Sequence, residues 1–303
     1  MNSRRGSWNF RGTSLVLARR DLILAGTSGL LLSAASSVAA APATRLIRRG
    51  DRLWIAARVN GVAVEALLDS AAEGTLVSPA FAARLGLASG EAATGHGSGA
   101  KALEVTLVEH VRLEAAGVRV ADATIAVVDL RDVSARLLGR PVDVVLGREI
   151  FDAARLRIDI PRLRIETAPP KAAPRGVPLP LTTVRGVEHM PVVIEDRAPT
   201  TAEFDLGNGS GLLLSRRYAE RAGLLDGRRL GREMGGGLGG AKPRATLVVT
   251  SLALAGRRFT NVPASLDDAP DAPDANVGVG LLQHFRITTD FAAHVLWLDD
   301  TGR

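Results

Sequence analysis

The chain is written twice, and that repetition constrains its fold more than any local propensity, because both halves must solve the same packing problem. The apolar run Ala66-Leu67-Leu68 ends in Asp69-Ser70-Ala71, and 136 residues later Ala202-Glu203-Phe204 ends in Asp205-Leu206-Gly207. After each aspartate comes a short apolar run closing on a serine, Thr75 to Ser78 and Leu212 to Ser215, then a short helical stretch stopped by Gly86 or Gly223. Serine is a good helix N-cap and glycine a good stop, so each half is expected to carry one short helix. A third landmark, Leu146-Gly147 in one half and Val277-Gly278 in the other, precedes Asp159 and Asp290 by the same 12 residues from Gly to Asp. The first aspartate precedes its glycine by 78 residues in one half and 73 in the other.

Between these landmarks, short Val, Ile and Leu runs alternate with turn residues. Leu53 to Val64 reads as a hairpin on an Asn60-Gly61 turn. The expected class is mostly β. A Pro-rich connector, 168–180, divides the mature chain into lobes at 41–167 and 181–303, since such a stretch continues neither a helix nor a central strand. Some 30 residues past each aspartate lies a glycine-dense segment, with Gly97, Ser98 and Gly99 in one half and Gly237, Leu238 and Gly239 in the other. These read as flaps, with His96 the histidine best placed to meet a ligand.

Composition narrows the chemistry. Zero cysteines exclude disulfides and thiolate chemistry, and five scattered histidines show no ligand spacing, so no metal site is expected. Carboxylates and hydroxyls remain. The formal charge of +6 suggests an anionic partner, but residues 1–40 hold five arginines against Asp21 and account for +4 of it. That segment, with Arg19-Arg20 before an uncharged Leu, Ala, Ser and Gly stretch closing on Val38-Ala39-Ala40, resembles a twin-arginine export signal. Cleavage gives a periplasmic or secreted protein; the alternative is a retained anchor. With 11 aromatic residues in 303, nucleic-acid stacking platforms are not evident, and no membrane partner is expected after leader removal.

Three further patterns are discounted. Gly235, Gly237 and Gly240 form a nucleotide-type glycine spacing without the strand and helix it needs. Asp267, Asp268, Asp271 and Asp274 lack calcium-loop spacing and read as a solvated acidic loop. Arg155, Arg157, Arg162 and Arg164 alternate with apolar residues as on the wet face of a strand.

Two carboxylates held together cannot both ionise, so they share a proton and can act as acid and base toward one water. At this point the chain resembles the retropepsin-like aspartyl proteases of bacteria, in a duplicated, single-chain, pepsin-like form. The resemblance implies an all-β, two-lobed acid-protease fold with one short helix per lobe, acting as a monomer. It implies a peptide or unfolded protein as substrate, no cofactor, and Asp69 and Asp205 as the catalytic pair. Ser70, Ala71, Leu206 and Gly207 would brace that pair, with Gly147 and Gly278 packed behind the two turns. The family pattern is Asp, then Thr or Ser, then Gly. Ala71 and Leu206 depart from it, so a catalytically degenerate peptide-binding protein of the same fold is the alternative. A third reading, a structural β protein whose aspartates only shape turns, has the duplicated context against it.

Overall fold

The Asn60-Gly61 turn forms as its sequence requires. Both residues have positive φ, 49° and 84°, and they join the strands Arg52–Val59 and Val62–Leu68 in a register running from Val59↔Val62 to Trp54↔Leu67. The computed structural model describes residues 43–87, 89–169 and 173–302; the expected leader, 1–40, and residues 170–172 of the connector lie outside them.

Each aspartate sits at the end of a strand in a crossed arrangement. In the first half, Val62–Leu68 runs parallel to Val144–Leu146, which is antiparallel to Leu76–Val77, which is parallel to Val118–Val128. In the second, Thr200–Phe204 is parallel to Ala275–Val277, which is antiparallel to Leu212–Ser215, which is parallel to Arg257–Asp267. The senses match strand for strand. Asp69 N–H donates to Leu146 O at 3.0 Å, and Asp205 N–H to Val277 O at 3.1 Å. The protein is all-β and two-lobed.

The two expected helices are Pro79–Arg84 and Arg216–Arg221, capped by the hydroxyls of Ser78 and Ser215, which accept from the amides of Phe81 and Tyr218. Further short helical turns, Arg131–Val133, Ser134–Leu138, Glu149–Ala153 and Val279–Leu282, accompany them.

The lobes are joined by a shared sheet. Leu156–Asp159 pairs directly with Phe285–Asp290, Ile158 opposite Ile287. Arg164–Thr167 and Thr44–Arg49 extend this sheet on one side, Val295–Asp300 and Val177–Pro180 on the other. The last of these comes from the connector and lies at the sheet edge, where Pro178 and Pro180 cost no ladder hydrogen bond that a central strand would need. The arginine-rich outer face is ion-paired, with Arg155 to Asp290 at 2.7 Å and Arg162 and Arg286 both to Asp159. One continuous apolar core runs through both halves. At their junction the rings of Phe151 and Phe291 stack at 5.3 Å, with Phe204 edge-on to Phe291 at 6.4 Å. Phe204 immediately precedes Asp205, so this packing seats the second aspartate turn.

Gly147 and Gly278 lie where expected. A Cβ on Gly147 would collide with the backbone of Gly74, and one on Gly278 with the backbone of Asn208 and Ser210. Gly211, nearby, has space for a methyl group against Leu281. We therefore expect Gly278→Ala to lower unfolding free energy by about 1 to 3 kcal/mol, as overpacking does. Gly211→Ala should stay within about 1 kcal/mol of the parent. Denaturant melts of the two variants check this; equal effects would contradict it.

Candidate active site

The turn that carries Asp69 is built by its own backbone. Ala71 N–H donates to Asp69 Oδ1 at 2.9 Å, and in the other lobe the amides of Gly207 and Asn208 donate to Asp205 Oδ1 at 2.8 and 2.9 Å. The turns are pressed together. A Cβ on Gly207 would overlap the carboxyl group of Asp69, so glycine here serves the close approach of one lobe's backbone to the other's carboxylate.

Ser70 crosses between the lobes. Its hydroxyl donates to Phe204 O at 2.8 Å and accepts from Leu206 N–H at 2.9 Å. Leu206 has no hydroxyl to return, and its side chain is fully buried in the core. Ala71 is not among the residues with positive φ, so the absence of glycine there imposes no backbone strain. Behind the first turn, the buried Glu149 carboxylate accepts Thr75 N–H at 2.7 Å and the Thr75 hydroxyl at 2.9 Å, while that hydroxyl accepts Gly147 N–H at 3.1 Å.

Asp69 and Asp205 face the same cleft, whose volume is about 360 Å³. Both residues keep some exposure to it, yet protein surrounds their carboxyl groups. Burial, and then the negative charge of Asp205, push Asp69 up to about 8, against the opposing pull of the Ala71 amide and Arg52. Burial also raises Asp205, opposed first by the side-chain amide of Asn276. The pair is close enough for the two carboxyls to titrate as a unit, with burial favouring the protonated form of each.

The flap segments meet above the cleft. Gly99 N–H donates to Leu238 O at 2.8 Å and Lys101 N–H to Gly239 O at 2.9 Å. Gly97, Ser98, Gly237 and Leu238 line the cleft, and Gly235 ends a flap strand, so the glycine spacing there belongs to a hairpin. Arg136 ties this roof to the first lobe by donating to Gly237 O at 2.8 Å.

Other expectations are corrected. His96 is exposed on its strand and is not among the cleft-lining residues. His189 is the buried histidine, and burial pulls it down to about 4. The acidic loop is ion-paired rather than merely solvated. Asp267 is buried against Lys242 at 2.8 Å, and Asp268, Asp271 and Asp274 pair with Arg216, Arg185 and Arg221. Sequence reasoning missed Arg52, Glu203 and Asn276, all of which line the cleft.

The pH dependence has a definite sign. Asp69 is raised in the folded state, so its contribution to stability is complete below the ordinary carboxylate range and is lost as pH rises through about 8. Thermal midpoints measured from pH 4 to 8 should fall more steeply for the parent than for Asp69→Asn. Parallel curves would show that Asp69 is not raised in the folded state.

Residues 55–150, which include Asp69, the first flap and Gly147, match a family model described as aspartyl protease. Among solved structures, the chain is similar to a retropepsin-like aspartic protease from Rickettsia conorii. The two are 18% identical over 40% of this chain and 88% of that one, with a TM-score of 0.33. Comparison with curated proteins returns no match.

Proposed function

We propose that this chain, whose residues 55–150 match the aspartyl protease family model, is an exported aspartic endopeptidase acting on peptides or unfolded proteins. The observation that carries this reading is the meeting of two carboxylates, from equivalent turns of two lobes, on one cleft floor where burial makes them share a proton. A peptide lying between the flaps and this floor would present its carbonyl to a water held by the pair. The ionised carboxylate takes a proton from the water as the new C–O bond forms, and the protonated one gives its proton to the carbonyl oxygen. The resulting gem-diol collapses when the first carboxyl passes its proton to the leaving nitrogen and a diol hydroxyl returns one to the second.

The degenerate alternative finds less support. Ala71 is unstrained, and the Ser70 hydroxyl makes both of its bonds across the lobe junction. Purified protein comprising residues 41–303 should cleave a denatured protein from mildly acidic pH toward neutrality. Activity should fall above about pH 8, where Asp69 loses its proton and no acid remains. Asp69→Asn and Asp205→Asn should each lower kcat/KM by about 10²- to 10⁴-fold. Cleavage that survives both substitutions would overturn the assignment, and peptide binding without turnover in the parent would favour the degenerate reading.

We further propose that residues 1–40 are a twin-arginine leader, that the mature protein is a periplasmic or secreted monomer, and that its lobes arose by internal duplication. Arg19→Lys with Arg20→Lys should hold the precursor in the cytoplasm, while the parent yields a mature N-terminus close to Ala41 by mass spectrometry. A full-length, membrane-bound product would instead identify an anchor.

A further inference from the structure

The two sides of the cleft floor are unlike where the repeat would make them alike. Two residues before each aspartate stand Leu67 and Glu203; two residues before each packed glycine stand Val145 and Asn276. Leu67 and Val145 are buried in a small apolar cluster with Trp54. Glu203 and Asn276 are register partners on neighbouring parallel strands, so their side chains emerge together beside Asp205.

Asn276 uses every polar atom it has. Its Nδ2 donates to Asp205 Oδ2 at 2.6 Å and to Glu203 Oε2 at 2.8 Å, and its Oδ1 accepts from Asn208 Nδ2 at 2.7 Å. The amide orientation follows from these partners, because a flipped amide would turn its oxygen toward two carboxylates. Asp205 thereby accepts two backbone amides on one oxygen and a side-chain amide on the other. Asp69 is held by the backbone amides of Ala71 and Ala72. Val145, at the place equivalent to Asn276, has no donor to offer.

We propose that Asn276 is a positioning residue that fixes Asp205 as the ionised member of the pair and leaves the shared proton on Asp69. Asp205 then takes the proton of the attacking water and Asp69 protonates the substrate carbonyl oxygen. This assignment of roles rests on the aspartyl protease reading.

The surrounding charges do not favour Asp205 as the ionised member. Arg52, itself paired with Asp51 at 3.2 Å, acts on both carboxylates in the same direction. Glu203 opposes ionisation of Asp205, with His189 behind it at 3.9 Å and held neutral by burial. Asn276 stands between the two carboxylates and donates to both. Beyond them, Asp267 is paired with Lys242 and Arg244, and Glu233 accepts from Ser265. Hydrogen bonds to a charged form favour that form, so the Asn276 donor favours ionised Asp205 against the opposing charge of Glu203.

The test removes Asp69 as a titrating partner. In Asp69→Asn, carbon-13 NMR of labelled aspartate carboxyls, with the Asp205 signal assigned by its loss in Asp205→Asn, reads Asp205 without its coupled partner. Adding Asn276→Val, which copies Val145, should raise its pKa by about one unit. In the converse background, Asp205→Asn, adding Val145→Asn should lower the Asp69 pKa, which keeps the idea testable if Asn276→Val does not fold. In the catalytically competent parent, Asn276→Val should move the acid limb of kcat/KM upward by a similar amount, a shift that simple loosening of the fold would not produce. An unchanged Asp205 titration in folded Asn276→Val, or an unchanged Asp69 titration with Val145→Asn, would overturn the inference. Titrations that shift as expected in a protein that cleaves nothing would remove the protease reading and leave the proton placement standing.

Discussion

A single hydroxyl carries the polar link across the centre of this molecule. Ser70 reaches from the first lobe to Phe204 O and Leu206 N of the second, using its one donor and an acceptor lone pair. A symmetric arrangement would have a second hydroxyl returning the same pair of bonds. Leu206 replaces that brace with apolar burial, which for a fully buried leucine is worth about 1.5 to 3 kcal/mol. A brace of this kind contributes about 1 kcal/mol net, while the amide it satisfies would cost more if left unpaired. The exchange is therefore energetically even or better, provided Leu206 N–H keeps its acceptor. Ser70 supplies it, so the one remaining hydroxyl bears the alignment of both turns.

That alignment also depends on what lies beneath. The interlobe sheet pairs Ile158 with Ile287, and the Phe151, Phe204 and Phe291 cluster fills the space between the lobes under the Asp205 turn. Close-packed rings and a hydrogen-bonded sheet leave few ways for one lobe to rotate against the other. The carboxylates are thus held together against their mutual repulsion by structure whose stability comes from elsewhere. This is how a buried, unfavourable pair persists.

The landmarks that could be read from the chain were those that impose a backbone requirement. An aspartate at a turn, a serine before a helix, a glycine where two backbones touch and an Asn-Gly hairpin each have few conformational alternatives, and all of them recur in the structure at the expected positions. Asn276 and Glu203 were opaque for the opposite reason. In sequence they are single polar residues inside short strands, and their partnership exists only because Thr200–Phe204 and Ala275–Val277 pair in parallel across 73 residues. The one available signal was that each breaks the apolar identity of its counterpart, Leu67 or Val145. His96 misled because proximity to a flap in sequence says nothing about which strand face a side chain occupies. The acidic loop misled because its arginine partners come from three separate segments.

The flap glycines carry a similar lesson about what glycine is for. Glycines this dense permit a mobile backbone, but a Cβ on Gly97 would strike Leu238, and one on Gly99 would strike the backbone of Gly239 and Gly240. These residues are small because the two hairpins touch tip to tip, the first donating backbone hydrogen bonds to carbonyls of the second. Arg136 and Arg244 add donors to carbonyls of Gly237 and Ser98 from the sides of the cleft. The absence of side chains at these positions is thus what lets the two tips form one roof over the aspartates.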